Sequence, residues 1–169
     1  MRKMDCHEIE NRTDERIRLL ADVWETSVRA THDFLRADEI PPLKRFVVRA
    51  LRQVPHLVVA ADAAGDAVAF MGVAERKIEM LFVAPENMGT GIGRRLVEYA
   101  WRAYDADSVD VNEENPSARA FYEHLGFRVA GRSAQDEQGG PHPILHMRRA
   151  EARTNTGNQV SNQTKGLGK

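Results

Sequence analysis

The sequence predicts an α+β domain in which a central mixed sheet carries helices on both faces. Three observations support this fold class. Apolar residues recur at helical spacing in four separate stretches of the chain. Short runs rich in Val, Ile and Phe, bounded by turn residues, lie between those stretches. A length of 169 residues with 42% apolar content suffices for one sizeable core and does not favour two domains.

Two amphipathic helices are predicted near the N-terminus. A weak strand candidate at 6–12 leads to Thr13 and Asp14, either of which suits a helix cap. The first helix then carries one apolar face, made of Ile17, Leu20, Ala21, Trp24 and Val28. A second apolar stripe, from Leu43 to Leu51, predicts another helix that ends before Pro55.

Three strands are predicted next, and the first two form a hairpin. The runs at 56–62 and 67–75 flank a segment in which Gly65 and Asp66 suit a tight turn. The third strand, at 77–83, ends before a proline, which cannot continue a strand ladder.

The chain then repeats a strand-and-helix pattern. A helix at 91–104 and a strand at 108–112 imply a right-handed crossover, so the strand at 108–112 should run parallel to the one at 77–83. A further helix follows, with Asn115 as its cap and Pro116 in its first position.

The last predicted structure is a hairpin, and a polar tail follows it. Gly126 ends the preceding helix, and the runs at 127–135 and 144–149 supply the two strands. From Glu151 onward the chain has few apolar residues, so we expect a domain at 5–150 and a flexible tail at 151–169.

Composition bounds the partners and the compartment. A formal net charge of -1 gives no global bias toward nucleic acid or acidic membranes, and we expect neither as a partner. The lone Cys6 fits a reducing compartment. No stretch approaches the roughly 20 apolar residues of a membrane span, so we expect a cytoplasmic protein.

The most informative motif is a glycine-rich junction between a strand and a helix. Gly89, Gly91 and Gly93 remove the Cβ atoms that would keep an anion from the free amides at the helix start, and Arg94 and Arg95 add positive charge. A Walker A loop is excluded because no Gly-Lys-Ser/Thr follows. A dinucleotide-binding loop stays an alternative.

Two stretches, LFVAPENMGTGIGRRLVEYA and NEENPSARAFYEHLGF, together resemble the GNAT superfamily of acetyl-coenzyme A dependent N-acetyltransferases. The order of the predicted elements over about 5 to 150 agrees with that family. Two further segments, SVRATHDFL and GRSAQDEQGGPHPIL, look like those of a bacterial subgroup. The resemblance implies a mostly antiparallel mixed sheet in which two neighbouring strands splay apart.

The resemblance also assigns coenzyme contacts. Backbone amides of the loop would hold the pyrophosphate, with Met88 at a position where Gln or Arg is usual. The exposed backbone of the preceding strand would pair with the pantetheine arm, and Asn115 would hydrogen-bond the coenzyme. The implied coenzyme-binding residues are Leu81, Phe82, Val83, Met88, Gly89, Thr90, Gly91, Ile92, Gly93, Arg94 and Asn115.

Two residues are candidates for proton transfer. Tyr122 matches the family tyrosine that protonates the departing thiolate, which leaves Phe121 to face the core. Strand alternation groups Glu79 with Leu81 and Val83, opposite Ile78, Met80 and Phe82. Burial would raise the pKa of Glu79 and suit it to be the base; a solvated carboxylate is the alternative.

The acceptor side is less defined. By resemblance, His32, Asp33, Phe34 and His142 border the acceptor pocket, and either histidine is a possible proton relay. Acidic residues near these segments would attract a cationic amine: Asp33, Glu39, Asp136 and Glu137. No Cys/His cluster has metal spacing, so no metal is expected.

The sequence therefore predicts an N-acetyltransferase that moves an acetyl group from acetyl-coenzyme A directly to a primary amine. A non-catalytic acyl-coenzyme A sensor and a dinucleotide-dependent oxidoreductase are the alternatives. Neither the acceptor nor the oligomeric state follows from the sequence.

Overall fold

The computed structural model describes residues 4–150. The predicted tail at 151–169 lies outside the described residues. The helices are α1 (Asp14–Thr31), α2 (Ile40–Gln53), α3 (Ile92–Tyr104) and α4 (Pro116–His124), with short 3-10 turns at Ala37–Glu39 and Pro85–Asn87. The strands are β1 (Asp5–Glu8), β2 (His56–Ala61), β3 (Ala67–Ala74), β4 (Lys77–Val83), β5 (Ser108–Asn112), β6 (Phe127–Ser133) and β7 (Ile144–Arg149).

The seven strands form one sheet in the order β1-β2-β3-β4-β5-β7-β6. Neighbouring strands are antiparallel except β4 and β5, which are parallel as the crossover predicts. Helices α1 and α2 pack on one face of the sheet around Trp24, Leu51 and Phe70. Helices α3 and α4 pack on the other face around Leu96 and Phe127. The predicted α+β class, with helices on both faces, is confirmed.

The parallel pair opens after two residues. Lys77 pairs with Ser108 and Ile78 pairs with Val109, and the remainder of β4 pairs with β3 alone. The remainder of β5 pairs with β7 alone. Backbone groups on the facing edges of the two strands therefore have no strand partner, which is the splay that the resemblance implied.

A β-bulge at Glu79 contradicts the predicted alternation of β4. Gly72 of β3 pairs with Met80 and Val73 pairs with Ile78, so Glu79 is an extra residue without its own partner. The side chains beyond the bulge consequently exchange faces. Ile78 shares the α3/α4 face with Leu81 and Val83, and the opposite face receives Met80 and Phe82.

Predicted caps and turns agree with the structure. The Thr13 hydroxyl accepts a hydrogen bond from the Arg16 amide at 3.2 Å, and Asn115 Oδ1 accepts one from the Ala118 amide at 3.1 Å. Gly65 has φ of +89° in the β2–β3 turn, a conformation that glycine adopts without strain. The first strand is shorter than predicted and begins at Asp5.

Candidate active site

A cleft of about 650 Å³ lies where β4 and β5 diverge. Its walls come from β4, the residues before and at the start of α3, the end of α1, β5 and the first turns of α4. The sheet leaves this space because the two strands separate after Ile78. Residues that are distant in the sequence therefore meet at one open site.

The glycine loop (residues 88–94) presents a row of free backbone donors. Within the described chain, the amides from Gly89 to Arg94 donate to no acceptor, and the first helical bond of α3 runs from the Arg95 amide to Gly91. Such amides at a helix start lie in the positive end of the helix dipole. The loop is therefore suited to bind a phosphate or pyrophosphate.

The loop glycines are required for two different reasons. Gly89 and Gly91 have φ of +76° and +87°, and a Cβ at either would meet no atom within 4 Å. Their role is thus a backbone conformation that other residues rarely adopt. A Cβ at Gly93 would lie 3.2 Å from Phe121 Cζ, so Gly93 makes room for α4. This contact indicates that Gly93 leaves space for the Phe121 ring, whereas the sequence predicted space for a diphosphate.

Side chains of the loop contribute unequally. Met88 and Arg94 line the cleft, and Arg94 also pairs with Glu98 at 3.1 Å. Arg95 donates to the carbonyl of Met4, just before β1, at 3.0 Å and does not line the cleft, so the prediction that it adds positive charge there is wrong. Thr90 donates its hydroxyl proton to Asn87 O, which fixes the turn before the helix.

Tyr122 lies at the floor of the cleft, where its side chain is 6% exposed. Its ring packs edge-on against Phe127 at 5.4 Å. No described residue hydrogen-bonds to the Tyr122 hydroxyl, and burial raises its pKa well above the usual value. The phenol is therefore protonated and available to a ligand at neutral pH. Phe121 is half-buried and lines the cleft, so the prediction that it faces the core is wrong in part.

Glu79 lines the cleft at the bulge, where its side chain is exposed to the open space. Although Glu79 is accessible to solvent, the surrounding cleft partly desolvates its carboxylate and raises its pKa; the nearby Lys77 opposes this shift, and the carboxylates of Glu137 and Asp110 add to it. A carboxylate with a raised pKa is a better proton acceptor. Because Glu79 is the extra residue of the bulge and has no partner on β3, its position in the cleft wall depends on this irregularity of β4.

A polar network that the sequence did not indicate supports this side of the sheet. Asp110 accepts from Lys77 Nζ at 2.7 Å and from His146 Nδ1 at 2.8 Å. These two hydrogen bonds outweigh partial burial and lower the pKa of Asp110. Ser133 Oγ lies 2.7 Å from His146 Nε2 and extends the network across four strands, from β4 to β6.

His32 and Asn115 connect the end of α1 with the start of α4. The Thr31 hydroxyl donates to Ser27 O at 2.9 Å, so it accepts from His32 Nδ1 at 2.8 Å. His32 Nε2 then carries the lone pair and receives Asn115 Nδ2 at 3.4 Å. Burial lowers the pKa of His32, despite Asp33, and keeps the ring neutral. His32 lines the cleft and is a second candidate base.

Three loops meet beside the cleft, and we call them the three-loop rim (residues 32–39, 113–115 and 134–143). His142 Nδ1 lies 2.8 Å from Glu114 Oε1, and His142 Nε2 lies 3.2 Å from Glu39 Oε2. The hydrogen bond with Glu114, aided by Glu39, raises the pKa of His142 despite partial burial. The ring of Phe34 packs against both His142 and His32, at 6.0 Å and 5.1 Å.

The predicted acceptor residues thus have different positions. All four belong to the rim, but His32 lines the cleft, whereas Asp33, Phe34 and His142 do not. Asp136 accepts the amides of Gln138 and Gly140 and shapes its own loop. The sequence did not indicate Glu114, because 28 positions separate it from His142, which it contacts, and 75 positions separate it from Glu39, to which His142 links it.

Two further observations concern classes of site. No group of three His, Cys, Asp or Glu side chains within residues 4–150 is placed to hold a metal ion. Within the same residues, no helix combines the length and the apolar character that a bilayer crossing requires.

Known proteins resemble this chain in both sequence and fold. Residues 42–148 match the acetyltransferase (GNAT) domain. The peptidyl-lysine N-acetyltransferase YjaB of Escherichia coli is 39% identical over 128 residues, which is 76% of this chain and 86% of that protein. The solution structure of apo-form YjaB superimposes with a TM-score of 0.79 at 35% identity, covering 89% of this chain and 99% of YjaB.

A more distant structure shares the fold alone. The PaiA N-acetyltransferase of Thermoplasma acidophilum, solved in complex with coenzyme A, has a TM-score of 0.63 at 18% identity. The match covers 86% of this chain and 99% of PaiA.

Proposed function

Because this chain belongs to the GNAT acetyltransferase family, we propose that it transfers an acetyl group from acetyl-coenzyme A to the side-chain amine of a protein lysine. The observation that carries the proposal is the glycine loop, whose consecutive free amides open onto the cleft between β4 and β5. The name of the YjaB relative supports lysine as the acceptor.

The residues of the cleft fit the coenzyme. Free amides from Gly89 to Arg94 suit a pyrophosphate, and the unpaired edge of β4 at Leu81, Phe82 and Val83 suits the amide groups of a pantetheine arm. Acetyl-coenzyme A supplies an acetyl thioester, which an amine attacks. Asn115 uses Oδ1 for its helix cap, which leaves Nδ2 as its donor toward the cleft and His32.

Tyr122 and Glu79 divide the proton transfers in the proposed reaction. The Tyr122 hydroxyl, protonated and without a partner among residues 4–150, gives its proton to the sulfur of the departing thiolate, which leaves as the thiol of coenzyme A. Glu79 accepts the proton of the attacking amine, directly or through one water molecule. Neutral His32 is the alternative acceptor because its Nε2 carries a lone pair at the cleft.

The fold argues against one of the two alternative functions, and an assay is needed to test the other. The dinucleotide-dependent oxidoreductase does not fit, because the sheet contains one parallel pair among the described strands and not a doubly wound array. A non-catalytic sensor would bind the coenzyme without turnover, and an activity assay distinguishes it.

The test is acetylation of a peptide with one central lysine and a blocked N-terminus, followed by mass spectrometry. We expect a mass gain of one acetyl group on the lysine, dependent on enzyme and acetyl-coenzyme A. A peptide with arginine in place of lysine is the control. Absence of acetyl transfer to every lysine peptide tried, with coenzyme binding intact, would contradict the proposal and favour the sensor.

A further inference from the structure

A second groove, of about 600 Å³, lies between α1 and α2. Its lining combines the buried Ile17 and Ala21 and the half-buried Val48 with charged residues, of which Asp14 is acidic. Long basic side chains border it: Arg18 from α1, and Lys44, Arg45, Arg49 and Arg52 from α2. The groove shares no lining residue with the active-site cleft.

The basic side chains of this groove divide into paired and unpaired groups. Lys44 binds Asp22 and Glu25 at 2.9 and 2.7 Å, and Arg52 binds Asp14 at 2.9 Å. Arg18, Arg45 and Arg49 form no hydrogen bond or ion pair within residues 4–150.

Unpaired arginines are unusual elsewhere in the described chain. Apart from Arg102, every other arginine of residues 4–150 has a hydrogen bond, an ion pair or a ring beneath it. Arg45 and Arg49 are also four positions apart on one helix, where like charges repel. Three positive charges at the groove thus have no carboxylate partner within residues 4–150.

We propose that this groove docks an acidic, partly apolar segment of the protein substrate. Carboxylates of the segment pair with Arg18, Arg45 and Arg49, and an apolar side chain covers the groove wall. The assignment of the segment to a substrate rests on the proposed lysine acetyltransferase function. Charge complementarity selects an acidic occupant over the polar tail of the chain, whose sequence from Ala152 to Lys169 has no acidic residue.

The geometry of α1 sets the spacing between the docked segment and the target lysine. Ala21 borders the groove and Thr31 borders the active-site cleft, ten positions further along the same helix. At 1.5 Å per residue this is a separation of about 15 Å. An extended peptide covers that distance with about five residues. Substrates should therefore carry acidic residues at least about five positions from the acetylated lysine.

Binding is measured by fluorescence anisotropy with a labelled peptide of alternating Glu and Leu, and with its Gln-for-Glu counterpart as control. The groove variant combines Arg18→Gln, Arg45→Gln and Arg49→Gln. A charge-matched control combines Arg102→Gln, Arg119→Gln and Arg148→Gln. We expect the groove variant to bind the acidic peptide at least about tenfold more weakly, and the control variant to stay within about twofold. Binding should also weaken with added salt.

Several results would overturn the docking proposal. Equal losses in the two variants would mean that net charge alone attracts the peptide. Unchanged affinity of the groove variant for the acidic peptide would show that Arg18, Arg45 and Arg49 do not bind it. Tighter binding of a DNA oligonucleotide or of phosphatidylserine vesicles through the same arginines would assign the groove to a different partner. The substituted arginines are exposed and unpaired, so the groove variant should keep the wild-type melting temperature.

An activity arm separates the failure of docking from the failure of the proposed function. Two lysine peptides are compared, one with an acidic segment beginning five residues from the lysine and one with a neutral segment. We expect a higher kcat/KM for the acidic peptide with the wild-type enzyme and equal values with the groove variant. If neither peptide is acetylated, the proposed function fails, and the anisotropy result still decides the docking site.

Discussion

The glycine loop borders the cleft, the three-loop rim reaches it through His32 and Asn115, and the two regions are built in different ways. The loop offers backbone amides from consecutive residues, ordered by two glycines with positive φ. The rim joins three loops that are distant in the sequence through side chains, with His142 between Glu39 and Glu114. Backbone recognition suits a ligand that does not change, whereas side-chain recognition adapts to one acceptor. Under the proposed function, the glycine loop binds the acetyl donor through backbone amides, and the rim contacts the acceptor through side chains.

The largest expected effect concerns Tyr122. Tyr122→Phe removes the hydroxyl that we propose as the proton donor to the departing thiolate, so we expect kcat to fall by about 10²–10⁴-fold. The ring contacts with Phe127 remain, so acetyl-coenzyme A should bind as tightly as before. Steady-state kinetics and calorimetry measure the two quantities. Tyr99→Phe on α3 is the control. Full activity of Tyr122→Phe would contradict the proposal that Tyr122 is the proton donor.

A substitution in the glycine loop should affect binding of the donor alone. Gly91→Val forces a β-branched residue into φ of +87°, which distorts the row of amides. We expect acetyl-coenzyme A affinity to fall by more than about 100-fold. Gly65→Val, at φ of +89° in a distant hairpin with equally open surroundings, is the matched control.

Both glycine variants should lose a similar amount of stability, because both impose the same kind of backbone strain. The Gly65→Val control should nevertheless keep its coenzyme affinity. If the two variants lose affinity equally, the loss comes from general destabilisation, and the glycine loop has no special role in binding.

A substitution in the rim should affect binding of the acceptor alone. His142→Asn removes the bridge between Glu39 and Glu114, so we expect a several-fold higher KM for the acceptor and an unchanged coenzyme affinity. Glu39 and Glu114 raise the pKa of His142 in the folded state. The stabilisation from the bridge is therefore complete below about pH 6.5, the unfolded value, and is lost as pH rises through the folded pKa.

Thermal unfolding of wild type and His142→Asn across this pH range checks the sign. The difference in melting temperature should be largest at acidic pH and should shrink toward alkaline pH. A difference that grows with pH would show that the neutral ring, and not the imidazolium, holds the rim.

The smallest expected effect concerns the packing behind the glycine loop. Gly93→Ala places a Cβ 3.2 Å from Phe121 Cζ, so we expect a loss of about 1 kcal/mol, or roughly 2–4 °C in melting temperature. Gly131→Ala is the control, because its Cβ would lie at an ordinary 3.7 Å from His146. Equal stability of Gly93→Ala and wild type would mean that the Phe121 ring moves aside freely.

The sequence predicted the glycine loop better than the rest of the site, for a physical reason. Local rules place Gly89, Gly91 and the α3 start, because a strand, a turn and a helix in succession generate the amide row. The Glu79 bulge escaped prediction, since it is set by the pairing of Gly72 and Val73 across the sheet and not by the sequence of β4. The same holds for His142, whose partners are supplied by the fold and not by a motif.

The most direct test of the proposed coenzyme site is calorimetric titration of the purified protein with acetyl-coenzyme A, with NAD, NADP and ATP as parallel titrants. We expect saturable binding of acetyl-coenzyme A with one site per chain and no comparable heat from the other three. Binding of NAD or NADP in preference to acetyl-coenzyme A, or no binding of any of them, would contradict the assignment of the glycine loop.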